Sequence, residues 1–352
     1  GEPFIVFDGD ATGNVTTEGP KFYKRDGWYW ILCPAGGVAG GWQLAMRSKS
    51  PYGPYEWKRV LERGKTTMNG PHQGGWIHTK YGEDWFIHFQ DKGPYGRVCH
   101  LQPVDWSSGW PVMGNAGEPY WKFRKPKSDS KTIVNPVETD EFDSSKLGMQ
   151  WQWQNDYKES YGQATSMGFF RLFTYALPEL GDVSNLWYVP NMLLQKTPAD
   201  EFTATTKLSF CSRNSDQYVG LVCMSAEYSS VGLQRTEDGY ELQIRHNPNA
   251  MRTHLTDEVL TVDTLKPTQK GTPRKGRPAE MHIKDVYLRM SIKDSKVSYA
   301  YSIDGKKWKK AGGEYAMGKG RWIGSKIGFF AVDPNKTGRK GFIDIDWFRI
   351  SR

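Results

Sequence analysis

Between residues 20 and 113 the chain breaks into short β-prone stretches separated by glycine, proline and aspartate, at about 20–24, 28–33, 42–48, 55–61, 73–79, 84–90, 97–103 and 109–113. Asp26-Gly27, between Lys21–Lys24 and Trp28–Leu32, is the strongest short hairpin signal, because a tight two-residue turn needs positive φ at both positions. A repeat underlies these stretches. Gly19-Pro20 returns as Gly70-Pro71, Trp28-Tyr29 as Trp85-Phe86, and the segment from Ser50 to Trp57 is echoed by Val104 to Trp110. The offsets, about 50 to 57 residues, hold four short strands each and match one propeller blade. Two blades leave sheet edges bare, since propellers close with about four to eight.

Residues 116 to 140 lose this pattern and collect lysine, proline, serine and aspartate, as a linker does. Strands resume beyond it at 169–174, 193–195, 202–211, 218–224, 231–235, 240–245, 286–293, 296–302, 327–332 and 341–350. Many alternate polar and apolar positions, as in Tyr287-Leu288-Arg289-Met290-Ser291-Ile292-Lys293, with Asp238-Gly239 and Asp304-Gly305 as turns. That is the signature of a sandwich. The division is therefore 1–125 blades, 126–140 linker and 141–352 β-sandwich.

Composition agrees: 38 Gly, 20 Pro and 14% aromatic residues in 352 point to an all-β chain long enough for two cores. No apolar run reaches the roughly 18 residues of a membrane span. The net charge of +8 would suit a polyanion, yet its densest run, Lys266 to Arg277, is broken by Pro267, Gly271, Pro273 and Gly276 and carries no aromatic for base stacking. A solvated loop fits that run better than a nucleic-acid site. Cys33, Cys99, Cys211 and Cys223 lack metal-ligand spacing. Cys211 and Cys223 are expected on two arms of one hairpin turning near Asn214-Ser215-Asp216, in a register that disfavours a bridge, so cysteine usage sets no compartment. The sequence starts at Gly1 without Met, in mid-fold, so the lack of a signal peptide is uninformative.

Glu18 stands immediately before Gly19-Pro20, where the first hairpin begins. A carboxyl there, against aromatic strand residues that would raise its pKa by desolvation, suits a general acid. Taken alone, these residues fit a solvated loop carboxylate better. The stretch nevertheless resembles glycoside hydrolase family 43, and the resemblance continues through Pro34-Ala35-Gly36-Gly37, Arg47-Ser48-Lys49-Ser50-Pro51-Tyr52-Gly53-Pro54-Tyr55, Asn69-Gly70-Pro71-His72-Gln73-Gly74-Gly75-Trp76, His88 to Arg97, His100 to Val104 and Gly109 to Val112. Residues Phe142 to Asn155, with Phe342 to Phe348, resemble the concanavalin-A-like jelly roll that follows the propeller in family 43 β-xylosidases and arabinofuranosidases.

The resemblance implies a five-bladed propeller and an exo-acting, inverting β-xylosidase or α-L-arabinofuranosidase acting on hemicellulose or arabinan oligosaccharides, with Glu18 as general acid. It implies an Asp base and a second, pKa-setting Asp on the N-terminal side of the acid. Asp8 and Asp10 are too near Glu18 for either role, so the remaining blades are expected from a longer or separate polypeptide. His72 becomes a residue under the pocket floor, against the alternative of a satisfied core histidine. Arg97 becomes a sugar-contacting guanidinium, against a plain surface cation, and Gln90 and Asp91 become lesser pocket candidates. Trp28, Trp42, Trp76 and Trp85 could stack on sugar faces, though packing between blades suits them better, and core packing suits Trp151 and Trp153. No cofactor is required. Asp140, Glu141, Asp344 and Asp346 would gather oxygen ligands for Ca²⁺ if the first and last sandwich strands pair. A periplasmic or extracellular setting is expected. A carbohydrate-binding protein that does not cleave its ligand is the competing reading.

Overall fold

Asp26 and Gly27 take φ of 51° and 72°, and the turn they make sets Arg25 opposite Trp28 and Lys21 opposite Leu32. That hairpin starts a meander. In the computed structural model, which describes residues 1–177, 185–252, 255–335 and 338–352, the strands β1 (Lys21–Arg25), β2 (Trp28–Ala35), β3 (Trp42–Ser48) and β4 (Glu56–Glu62) form one antiparallel sheet in sequence order. A second sheet repeats the plan with β5 (His72–His78), β6 (Asp84–Asp91), β7 (Arg97–Asp105) and β8 (Val112–Met113). These are the two expected blades.

The chain divides into two compact units, Gly1–Lys92 with Arg97–Ile133, and Gly93–Gly96 with Val134–Arg352. In the first unit Trp30, Leu32, Val60, Phe86 and Met113 make a core shared by both blades. Trp30 meets Trp106 and Trp110 edge-on, at 5.1 and 5.7 Å between ring centroids. The Arg25 guanidinium lies 4.5 Å over Trp106 and pairs with Asp84 at 3.1 Å, and Asp84 also accepts from Trp76 Nε1 at 2.9 Å. Aromatic contacts of this kind are worth about 0.5–1.5 kcal/mol each beyond the area they bury. Several tryptophans of this unit pack: Trp85 is 2% exposed, and Trp42 donates to Asn14 at 2.9 Å under the Arg59 guanidinium.

The second unit opens with β9 (Gln152–Trp153), β10 (Gly162–Ala164), β11 (Phe170–Phe173), β12 (Tyr175–Ala176), β13 (Leu193–Lys196), β14 (Phe202–Ser212), β15 (Tyr218–Met224) and β16 (Tyr228–Arg235). It continues with β17 (Tyr240–Asn247), β18 (Glu258–Leu265), β19 (Gln269–Lys270), β20 (Met281–Lys293), β21 (Lys296–Ser302), β22 (Lys309–Ala316), β23 (Lys326–Asp333) and β24 (Phe342–Ser351). One sheet runs β10-β11-β24-β14-β20-β21-β22, with β19 paired to β20; the other runs β18-β17-β16-β15-β23-β13-β9, with β12 paired to β23. Between them Leu208, Leu288, Met290, Ile345 and Phe348 pack with Leu221, Val231, Leu242, Ile244 and Phe329. The second sheet is covered on its other side too, by Leu186, Val189 and Met192 against Val222, Tyr228 and Phe330. That explains why every residue of β15 is buried and why its sequence is apolar without alternation.

One expectation needs correcting. Phe202–Ser212 and Tyr218–Met224 are not arms of a hairpin: β14 pairs with β20 and β24, and β15 with β16 and β23. The short connection crosses between sheets, because both strands bury apolar faces and the two faces pack on each other across the sandwich. All four cysteines are free thiols. Trp151 lies in the core at 8% exposure, its Nε1 donating to Asp140 at 2.7 Å, and Trp153 packs against the same core. Asp140 bridges to Phe348, joining the beginning and end of the sandwich. The carboxylates expected to share Ca²⁺ instead take separate partners: Asp140 takes Trp151 and the Phe142 amide, Glu141 takes Arg349, Asp344 takes Arg171, and Asp346 takes Lys207. Among the described residues no helix is long and apolar enough to cross a membrane.

Candidate active site

The segment before β1 is pinned to the end of β2, with the Glu18 amide donating to the Pro34 carbonyl at 3.1 Å. Gly19 follows at φ +52°, a conformation that glycine adopts without the strain a Cβ would bring. Here the close approach also matters, since a Cβ on Gly19 would lie 2.2 Å from Gln73 Oε1. Lys21 Nζ ties the corner together, donating to the Gly19 carbonyl at 2.7 Å and to Gln73 at 3.1 Å.

The opposite wall comes from the start of β5. His72 pairs with Phe89 of β6, and the register then shifts before Gly75 pairs with Ile87, so a bulge carries Gln73 at φ +51° and Gly74. Phe86 fills the space beside Gly74, where a Cβ would sit 1.9 Å from its ring. The bulge aims the His72 imidazole at Glu18, with Nε2 2.6 Å from Oε1. His72 is 1% exposed, whereas the Glu18 side chain is 55% exposed. When Glu18 is ionised Nε2 donates the proton; Nδ1 is buried and has no hydrogen-bond partner among the described residues. Phe89 meets the imidazole edge-on at 5.8 Å, and the exposed Arg97 guanidinium lies 4.5 Å over the Phe89 ring.

This arrangement corrects the expected electrostatics. The His72 hydrogen bond holds the Glu18 carboxyl below the usual glutamate range; burial opposes it, and the His72 charge, Gln73 and Arg97 add to the lowering. Aromatic desolvation was expected to raise it, but within this chain one side of the carboxyl is open and the other carries a strong hydrogen bond. A carboxyl in this state is ionised at neutral pH and carries no proton to donate.

Glu18, His72 and Arg97 come together; Gln90 does not. Phe89 and Gln90 are successive residues of β6 and point to opposite faces, so Phe89 goes toward His72 and Gln90 goes away. Gln90 Nε2 donates to the Thr67 carbonyl at 3.1 Å, and its Oε1 lies 3.1 Å from His100 Nε2. Beside it His88 is buried, and desolvation pushes its pKa down to about 4. Asp91 pairs with Arg97 in the ladder between β6 and β7. Sequence reasoning missed Gln73 and Lys21. The adjacent Gly74-Gly75 was the available signal, since paired glycines in a strand mark a bulge.

Comparison with known proteins supplies the context for this corner. The profile of glycosyl hydrolases family 43 matches residues 1–111, and that of the beta xylosidase C-terminal concanavalin A-like domain matches residues 139–351. The chain belongs to glycosyl hydrolase family 43. Among the relatives of this family 43 chain, a Xylanibacter ruminicola protein whose name assigns it provisionally to the β-xylosidases is 34% identical over 88% of the chain and 54% of its own length. A β-xylosidase of Formosa agariphila is 29% identical over 94% of the chain and 59% of its own length. The crystal structure of the GH43 protein BlXynB from Bacillus licheniformis superposes with a TM-score of 0.80 at 25% identity, covering 99% of this chain and 67% of that one. The chain thus spans little more than half the length of these two curated relatives.

Proposed function

We propose that this chain supplies the general-acid side of an inverting, exo-acting β-xylosidase or α-L-arabinofuranosidase. The observation that carries the reading is the Glu18–His72 pair at 2.6 Å, set at the mouth of the first hairpin with Arg97 beside it. A glycosidase acid must reach the leaving oxygen and give up a proton to it in the transition state. Glu18 is accessible enough for the first task, and His72 fixes its direction. For the second, Glu18 must be protonated at working pH, which requires carboxylates and desolvation beyond what this chain contributes. The reading therefore puts the pKa-setting Asp and the general base on polypeptide outside this chain, the base about 6.5–9.5 Å from the acid with a water between. The names of the relatives support the choice of sugars: two concern β-xylosidase activity, and a Bacteroides ovatus relative 25% identical over 83% of the chain is named a non-reducing end α-L-arabinofuranosidase.

The test uses the full protein that contains this chain. Proton NMR of the first-formed product from nitrophenyl β-xyloside and nitrophenyl α-L-arabinofuranoside should show the inverted anomer. A retained anomer overturns the inverting assignment. Glycan binding with no hydrolysis of either substrate favours the carbohydrate-binding reading, which the lowered titration of Glu18 in this chain alone would suit.

A further inference from the structure

The outer face of the sheet that contains β14 and β20 carries a second chemical cluster, which owes nothing to Glu18. Leu208 and Phe210 of β14 point into the core, so Cys211 points the other way. Cys211 stands directly opposite His282 on β20. Glu280 lies two residues before His282, and the strand period puts both on Cys211's face.

Distances fit a coordination polyhedron. Cys211 Sγ is 3.5 Å from His282 Nε2, that nitrogen is 2.9 Å from Glu280 Oε1, and the three ligand atoms lie within 4.8 Å of one another. Tetrahedral zinc, with Zn–S about 2.3 Å and Zn–N about 2.0–2.1 Å, separates sulfur and nitrogen ligands by about 3.5 Å. The contact between His282 and Glu280 needs to open by only a few tenths of an ångström. Glu280 Oε2 is held by Arg213 at 2.8 Å, which leaves the carboxylate aimed with its other oxygen toward the imidazole. Cys211 and His282 also line a cavity of about 250 Å³ beside Phe169 and Phe342. A single ion could take one ligand atom from each of the three side chains.

We propose that Cys211, Glu280 and His282 bind a divalent cation of the zinc class, leaving a fourth position open toward that cavity. Binding breaks the Cys211 S–H bond, forms a metal–thiolate bond and releases the proton to solvent. Without the ion the thiol stays neutral, since burial and then Glu280 push its pKa up to about 12.

Co²⁺ is the probe, with the whole chain in a Cys99→Ser background because Cys99 is the exposed thiol. After equilibrium dialysis the protein should hold one Co²⁺ per chain and show a thiolate-to-cobalt charge-transfer band. Cys211→Ser and His282→Gln should each abolish the band, and Asp346→Asn, on the same cavity but outside the cluster, should keep it. His282 is partly exposed, so His282→Gln should keep the parent circular dichroism and decides the matter if Cys211→Ser fails to fold. No retained Co²⁺, or a band that persists in a folded His282→Gln protein, overturns the site.

Discussion

At the level of single residues the direction in which Glu18 titrates follows from one neighbour. An imidazole N–H held 2.6 Å from a carboxylate oxygen stabilises the charged form, and the open side of Glu18 adds too little desolvation to reverse that. Carboxyl-resolved NMR titration of this chain should place Glu18 below the ordinary glutamate value of about 4.3. His72→Phe should move it upward, as the first cause of the lowering is removed. A folded-state pKa below the unfolded one contributes stability that is fully present above the unfolded value and lost as pH falls through the folded one. The acid limb of a pH–stability curve should therefore be shallower in His72→Phe. Gly74 is a second sensitive position. Gly74→Ala forces a methyl onto Phe86, which is fully buried, and should cost about 1–3 kcal/mol, read as a lower urea midpoint at unchanged m-value.

Elements show where sequence patterning succeeds and where it fails. All eight blade strands were legible, because each is short, separated from the next by turn residues, and in the first case joined by Asp26-Gly27. That turn holds its register through φ of 72° at Gly27, so Gly27→Val should destabilise the first unit by about 1–2 kcal/mol in chemical denaturation. In the sandwich β14, β15 and β21 stood out, but β18 and β22 did not. Strand β22 reads Lys309-Lys310-Ala311-Gly312-Gly313-Glu314-Tyr315-Ala316, and its lysines and bulge beside Ser298 suit an edge position while hiding its strand character. Pairing was harder still: the five residues between β14 and β15 look like a hairpin loop, and only the burial of both strands in one inter-sheet core shows a crossing. For the candidate site, the motifs named Glu18, His72 and Arg97, which the structure brings together, while alternation along β6 sends Gln90 to the other face. Gln73 is brought in by a bulge that only Gly74-Gly75 signalled, and Lys21 reaches it through a side-chain contact across 52 residues that no motif marks. The Cys211–His282 contact spans 71 residues, so no spacing rule could have found it.

For the whole molecule, the two units ask different things of the protein. The sandwich contains its own inter-sheet core and should unfold as a unit; Phe348→Ala, at a fully buried position, should cost it about 3–5 kcal/mol, visible as a lower melting temperature. On the proposed reading Glu18 works with a base and a second carboxylate from further polypeptide, so the chain alone should hydrolyse neither xyloside nor arabinofuranoside. Protonation of the leaving group matters most when the leaving group is poor, and this separates a general acid from a residue that merely shapes the pocket. The decisive measurement is kcat/KM of the full protein and its Glu18→Gln form on unactivated xylobiose and on nitrophenyl β-xyloside. The account predicts a loss of about 10²–10⁴-fold on xylobiose and a much smaller one on the activated substrate. Equal losses on both substrates, or none on either, would contradict it.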